Sequence, residues 1–87
     1  MIIYKYPFSI RDYISIAMPQ GAEILSVQVQ DRGTFIWAAV DINKPLENKL
    51  FRLIGTGHEI DSLDYKSLKY IGTFQLTGFV GHLFEVL

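Results

Sequence analysis

Cysteine is absent from the chain, which removes disulfides, thiolate metal sites and a cysteine nucleophile together. No run of apolar residues approaches the roughly 20 that a helix needs to cross a bilayer. The opening Met1-Ile2-Ile3-Tyr4-Lys5 lacks the long apolar centre of a signal peptide, so the chain is expected to be soluble and to act inside a cell, with no membrane partner. Charge is not blocked: eight basic and nine acidic residues give a net charge of −1. That balance leaves no electrostatic footprint for duplex nucleic acid. Helical periodicity is missing as well, and no internal linker is visible.

What is present is apolar and β-forming. Hydrophobic residues make up 49% and aromatic residues 14% of 87 positions, a length that supports a single domain spanning residues 1–87. A core of that size hides only part of such a load. Some of the apolar surface is expected to meet another copy of the chain, a homo-oligomer with a dimer as the default.

Residues Ile2 to Tyr6 read as a first strand ended by Pro7, which cannot donate to a ladder. From Phe8 to Met18, apolar residues at Phe8, Ile10, Ile14, Ile16 and Met18 keep one parity, a half-buried strand with an interruption at Asp12. Pro19-Gln20-Gly21 is a turn. Leu25, Val27 and Val29 then alternate with Ser26, Gln28 and Gln30, so one face is core and the other rich in amides. Asp31-Arg32-Gly33 reads as a tight hairpin with the glycine in the left-handed region. Thr34 to Ile42 is apolar on both parities, Phe35, Trp37 and Ala39 against Ile36, Ala38 and Val40, which places it at a sheet centre or an interface. Asn43 to Lys49 is expected to be a surface loop and Leu50 to Thr56 a fifth strand. In Glu59 to Leu68 a helical turn capped by Asp61 or Ser62 interrupts a long loop. Lys69 to Thr77 and Phe79 to Leu87 close the chain as a hairpin about Gly78. The spacing predicts an all-β fold, a compact antiparallel sandwich or small barrel of about seven short strands. Leu25, Val27, Val29, Phe35, Trp37, Leu53, Phe74, Leu76 and Leu83 are the expected core.

Enzyme chemistry finds little support. The two histidines have no ligands at metal spacing, so no metal or cofactor is expected. His58 and Glu59 are neighbours that an extended chain points to opposite faces, and His82, between Gly81 and Leu83, reads as a satisfied core or interface histidine. No serine sits in a Gly-x-Ser-x-Gly elbow, and Gly55-x-Gly57 is followed by neither a third glycine nor a helix. Binding remains. Gly55, Thr56, Gly57 and His58 end a strand where main-chain N–H groups can cradle an anion. Thr73 belongs to a similar string, Ile71-Gly72-Thr73. Arg52 and His58 supply positive charge, and Trp37 or Tyr70 a surface on which a base stacks.

The strings Ile3-Tyr4-Lys5-Tyr6-Pro7, Gly21-Ala22-Glu23-Ile24-Leu25-Ser26-Val27-Gln28-Val29-Gln30, Ile36-Trp37-Ala38-Ala39-Val40-Asp41, Gly55-Thr56-Gly57-His58, Tyr70-Ile71-Gly72-Thr73-Phe74-Gln75 and His82-Leu83-Phe84-Glu85 together resemble a family of small uncharacterised bacteriophage and prophage proteins. Where that family places a proline after the aspartate of the tryptophan strand, this chain has Ile42, and Pro45 comes later. The resemblance implies a phage-encoded accessory protein in the host bacterial cytoplasm. Joined to the glycine corner, it suggests a protein that binds a small anionic ligand and sequesters a nucleotide signal of bacterial defence. The alternatives are a module that contacts and inhibits a host or defence protein, and a structural component of the virion.

Overall fold

The computed structural model describes residues 1–87, and the expected strands appear in it with several boundaries moved. Seven strands form: β1 Ile2–Phe8, β2 Tyr13–Pro19, β3 Glu23–Gln30, β4 Gly33–Val40, β5 Leu46–Gly55, β6 Leu68–Leu76 and β7 Phe79–Val86. One short helix, α1 Ser62–Lys66, lies between β5 and β6. The strands build two antiparallel sheets, ordered β1-β4-β3 and β2-β5-β7-β6, packed face to face as a sandwich. No helix is long and apolar enough to cross a membrane.

The inner faces of both sheets supply one core, with Ile14 and Met18 from β2, Val27 from β3, and Ile36, Ala38 and Val40 from β4. Phe51 and Leu53 of β5, Phe74 of β6 and Leu83 of β7 face them. Burying each large member contributes roughly 1.5–3 kcal/mol. Gly81 lies in the middle of this layer. A Cβ there would come within 2.7 Å of the Phe79 ring and 2.8 Å of the Phe74 ring, so the absent side chain is what lets those aromatics fill the space. Among the expected core residues Val27, Leu53, Phe74 and Leu83 are buried, while Val29 and Leu76 are half-buried.

Three expected core residues lie elsewhere. In β4 the inward parity is Thr34, Ile36, Ala38 and Val40, and Phe35 and Trp37 are half-exposed on the outer face. The strand is the centre of its sheet, as its two apolar faces imply, but alternation alone does not say which of two apolar faces is the core. Leu25 is 44% exposed because β3 carries a bulge. Ile24 pairs with Ala38 and Ser26 with Trp37, leaving Leu25 as the extra residue. The bulge shifts the phase, so that Ile24 rather than Leu25 shares the inner face with Val27.

Turn chemistry moves other boundaries. Asp31 and Arg32, at φ of 50° and 67°, take the left-handed conformation of the β3–β4 hairpin. Gly33 does not; it pairs with Gln30 as the first residue of β4. The span Phe8 to Met18 is not one strand: Phe8 ends β1 in the three-stranded sheet and Tyr13 starts β2 in the other. Pro7 stays within β1, opposite Phe35, and is tolerated because β1 is an edge strand. The expected loop Asn43 to Lys49 is ordered as strand from Leu46 onward, where β5 pairs with β2. The helical turn occurs as expected, its Asp61 carboxylate accepting from Leu63 N at 2.8 Å.

The corrected parities have a measurable consequence. In chemical denaturation, Ile36→Ala should cost about 2–5 kcal/mol, whereas Leu25→Ser should stay within about 0.5 kcal/mol of the parent.

Candidate functional site

β5 ends at Gly55, and the chain turns through Thr56 and Gly57, the turn being closed by His58 N donating to Gly55 O at 3.1 Å. Gly57 sits at φ +87°, where a side chain is strained. Gly55 serves close approach instead: a Cβ on it would meet the His58 ring at 3.0 Å and the Phe79 ring at 3.3 Å. The His58 imidazole therefore folds back over its own strand end.

Thr56 reaches in another direction. Its Oγ1 lies 2.7 Å from Nε2 of His82, and Nδ1 of the same ring lies 2.8 Å from Oγ1 of Thr73. The Tyr70 hydroxyl is hydrogen-bonded to Thr73 Oγ1 in turn. This arrangement follows from sheet order. The two Gly-Thr strings are not adjacent; β7 runs between β5 and β6, with His82 opposite both Ile54 and Thr73. His82 is thus satisfied, as expected, but on the outer face of the four-stranded sheet rather than in the core. Its role was legible in principle: the two-residue turn Thr77-Gly78 pairs Leu76 with Phe79, and counting back along both strands puts Thr73 opposite His82.

The chain of Tyr70, Thr73, His82 and Thr56 has a definite donor logic. A neutral imidazole donates through one nitrogen and accepts through the other, so one threonine hydrogen is consumed internally. A protonated imidazole donates through both. Both threonine oxygens then accept from the ring, so the Thr56 hydrogen turns to an outside acceptor while that of Thr73 is shared with the Tyr70 hydroxyl.

Arg52 and Trp37 stand apart from this cluster. The Arg52 Nη1 donates to Leu53 O at 2.7 Å and to Asp12 O at 3.3 Å, and lies 3.8 Å from the Asp12 carboxylate. Its guanidinium stacks 4.7 Å from the Tyr13 ring centroid. It lines a cleft of about 180 Å³ with Glu59, Asp61 and Asp64, one that includes none of Gly55, Thr56, Gly57, His58 or Thr73. Trp37 belongs to the other sheet. It lies on the outer face beside Phe35, with the Lys5 ammonium 4.5 Å from the Phe35 ring and 5.7 Å from the Trp37 ring. Lys5 Nζ is fixed there by donating to Gln30 Oε1 at 2.8 Å. The structure therefore unites Thr56 and Thr73 through His82, keeps Gly55, Gly57 and His58 at the adjoining turn, and separates Arg52 and Trp37 from them. No three His, Asp or Glu side chains gather as a metal site would require.

Residues 1–87 match the family model of a domain of unknown function, DUF7352, and the chain belongs to that family. No curated protein and no solved structure matches the chain.

Two substitutions separate backbone from side-chain roles at the corner. Gly57→Ala should lower stability by about 1–2 kcal/mol through its positive φ, and Thr56→Val by about 1 kcal/mol through the lost hydrogen bond to His82. Thermal and denaturant unfolding measure both.

Proposed function

We propose that the protein is a binding module rather than an enzyme, a phage-encoded accessory protein that contacts a host protein in the bacterial cytoplasm through the outer face of its three-stranded sheet. The carrying observation is Trp37 and Phe35 lying side by side, each half-exposed, under Lys5 on the outer face of the three-stranded sheet. Ile3, 62% exposed, pairs with Ala39 on the same face, and Leu25 is displaced outward at its bulge. Tryptophan in such a setting is the residue most often found to dominate a protein interface. Lys5 gives the face its selectivity. A partner carboxylate draws the ammonium outward and frees the two rings for apolar contact, while a cationic partner meets repulsion. Gln28 and Gln30 supply amide donors and acceptors at the margin.

A second reading rests on the cluster around His82. Three hydroxyls and an imidazole converge there without a carboxylate among them, a donor set suited to a small anionic ligand such as a nucleotide phosphate. Thr56 and Thr73 carry over from the glycine corner into this reading. Arg52, tied to main-chain carbonyls and Asp12, does not. A structural component of the virion is the remaining reading, for which no particular cluster of residues argues.

The readings separate by experiment. Affinity capture from bacterial lysate with the parent protein and with Trp37→Ala, followed by titration of any protein retained only by the parent, should show a loss of about 2 kcal/mol or more for the variant. Retention of every partner by Trp37→Ala sinks the first reading. Calorimetry with inorganic phosphate and with cyclic and linear nucleotides tests the second. Thr73→Val and His82→Ala, which remove a hydroxyl and the ring from the cluster, should each weaken that binding by roughly 1–3 kcal/mol, the range for a lost charge-assisted hydrogen bond.

A further inference from the structure

The outer face of the four-stranded sheet holds a trough that the proposed partner surface does not use. One arm, about 330 Å³, is almost wholly apolar and is formed around Tyr13, Leu50 and Val86. Tyr13 is 70% and Leu50 51% exposed. The other arm is the cleft of Arg52, Glu59, Asp61 and Asp64, which shares Tyr13 and Val86 with the first. Three carboxylates and one guanidinium line that arm, with the Asp61 carboxylate accepting from Leu63 N. The guanidinium is already engaged by Asp12 and two carbonyls, and neither Glu59 nor Asp64 has an ion-pair partner. The trough is thus apolar at one end and carries uncompensated negative charge at the other.

The chain also carries the complement. Between β1 and β2, Ile10 is 43% exposed, and its neighbour Arg11 is exposed with no carboxylate within ion-pair distance. An apolar side chain followed at once by a free cation matches the two arms in order. Hole and knob lie next to each other on one molecule, since Arg11 and Tyr13 line a common cleft. A two-fold contact uses one self-complementary patch that carries both, and with the axis near Tyr13 the knob of each copy meets the trough of the other.

We infer that the trough is the seat of a second copy of this chain, and that the two protomers exchange their Ile10-Arg11 turns. Ile10 fills the apolar arm beside Leu50 and Tyr13. Arg11 reaches Asp64 and Glu59 across the axis. The dimer leaves the Trp37 faces of both protomers open, so it is compatible with the contact proposed above without depending on it.

Sedimentation velocity on the full chain over a wide concentration range tests this. The parent should dimerise, Arg11→Glu and Asp64→Lys should each weaken the dimer by about tenfold or more, and the double variant should return most of the loss, because each reversed charge then meets its opposite across the axis. Leu50→Glu, which blocks the apolar arm, should also leave monomer. Trp37→Ala should leave the dimer unchanged. Melting temperatures check that the variants fold, which the exposure of Arg11 and Asp64 favours. A parent that stays monomeric overturns the inference, as does a dimer indifferent to both single charge reversals or one that the double variant fails to restore.

Discussion

Without a disulfide or a metal, two sheets of three and four strands are held together by a layer of side chains one residue deep. The molecule measures 40 × 34 × 16 Å, and only 17 of 87 residues are buried. Each position in the layer therefore carries a large share of the stability. Phe51, Met18, Ile36, Leu83 and Val40 are its bulkiest fully buried members. Where the layer is tightest, the chain uses glycine: Gly81 admits the rings of Phe74 and Phe79, and Gly72 lets β6 come close to Val27 of the opposite sheet. A sandwich this thin has almost as much outer face as inner, and that fact governs the rest of its surface.

Strands, their number and the closing hairpin were legible because period-two alternation and Gly-containing turns act locally. What escaped was whatever needed three dimensions to decide. Phe35 and Ile36 are equally plausible core residues by pattern, and the choice falls to Ile36 because Ile36, Ala38 and Val40 match the narrow space between the sheets while Lys5 shelters the larger rings outside. Leu25 alternates in step with Val27 in the sequence, yet a single unpaired residue in β3 reverses the parity on one side of it. Of the glycine corner, the turn and the positive φ at Gly57 were readable. The association of Thr56 with Thr73 was readable as a likeness of strings, but not its cause, an intervening strand that carries His82. Arg52 was placed near the corner by chain proximity alone. Two residues upstream of Ile54 its side chain takes the outer face, beside Tyr13 of the neighbouring strand, and geometry removes it.

The two outer faces meet solvent differently. On the four-stranded sheet, Tyr65 of α1 and Tyr70 of β6 both pack edge-on against Phe84, at 6.0 and 5.5 Å, and Leu87 N is tied to Ser67 O. The segment after β5 therefore shields one half of that face, leaving Ile54 and Phe84 buried, and its acidic residues border the half it leaves open. On the three-stranded sheet no segment plays this part. A single lysine lies across two aromatic rings, a cover that is cheap to displace because the ammonium gains water when it leaves and the rings keep their packing beneath.

This asymmetry has an energetic reason in the sequence. Ordering a loop over a sheet face costs roughly 1–2 kcal/mol of backbone entropy per residue, which burial of Ile54 and Phe84 on the four-stranded sheet offsets. Beside the aromatic pair, Ile3, Ala39 and Leu25, the outer positions of the three-stranded sheet include Lys5, Ser26, Gln28 and Gln30, whose polar groups a covering segment from within the 87-residue chain would have to desolvate. Left bare, the same positions cost the free monomer little, since Lys5 and the glutamines keep their water. The apolar area that Phe35, Trp37 and Ile3 still expose is gained only when something outside the chain supplies the cover. Such a face leaves burial unrealised in the free chain, and any cover from outside adds to the stability that the inner layer alone supplies.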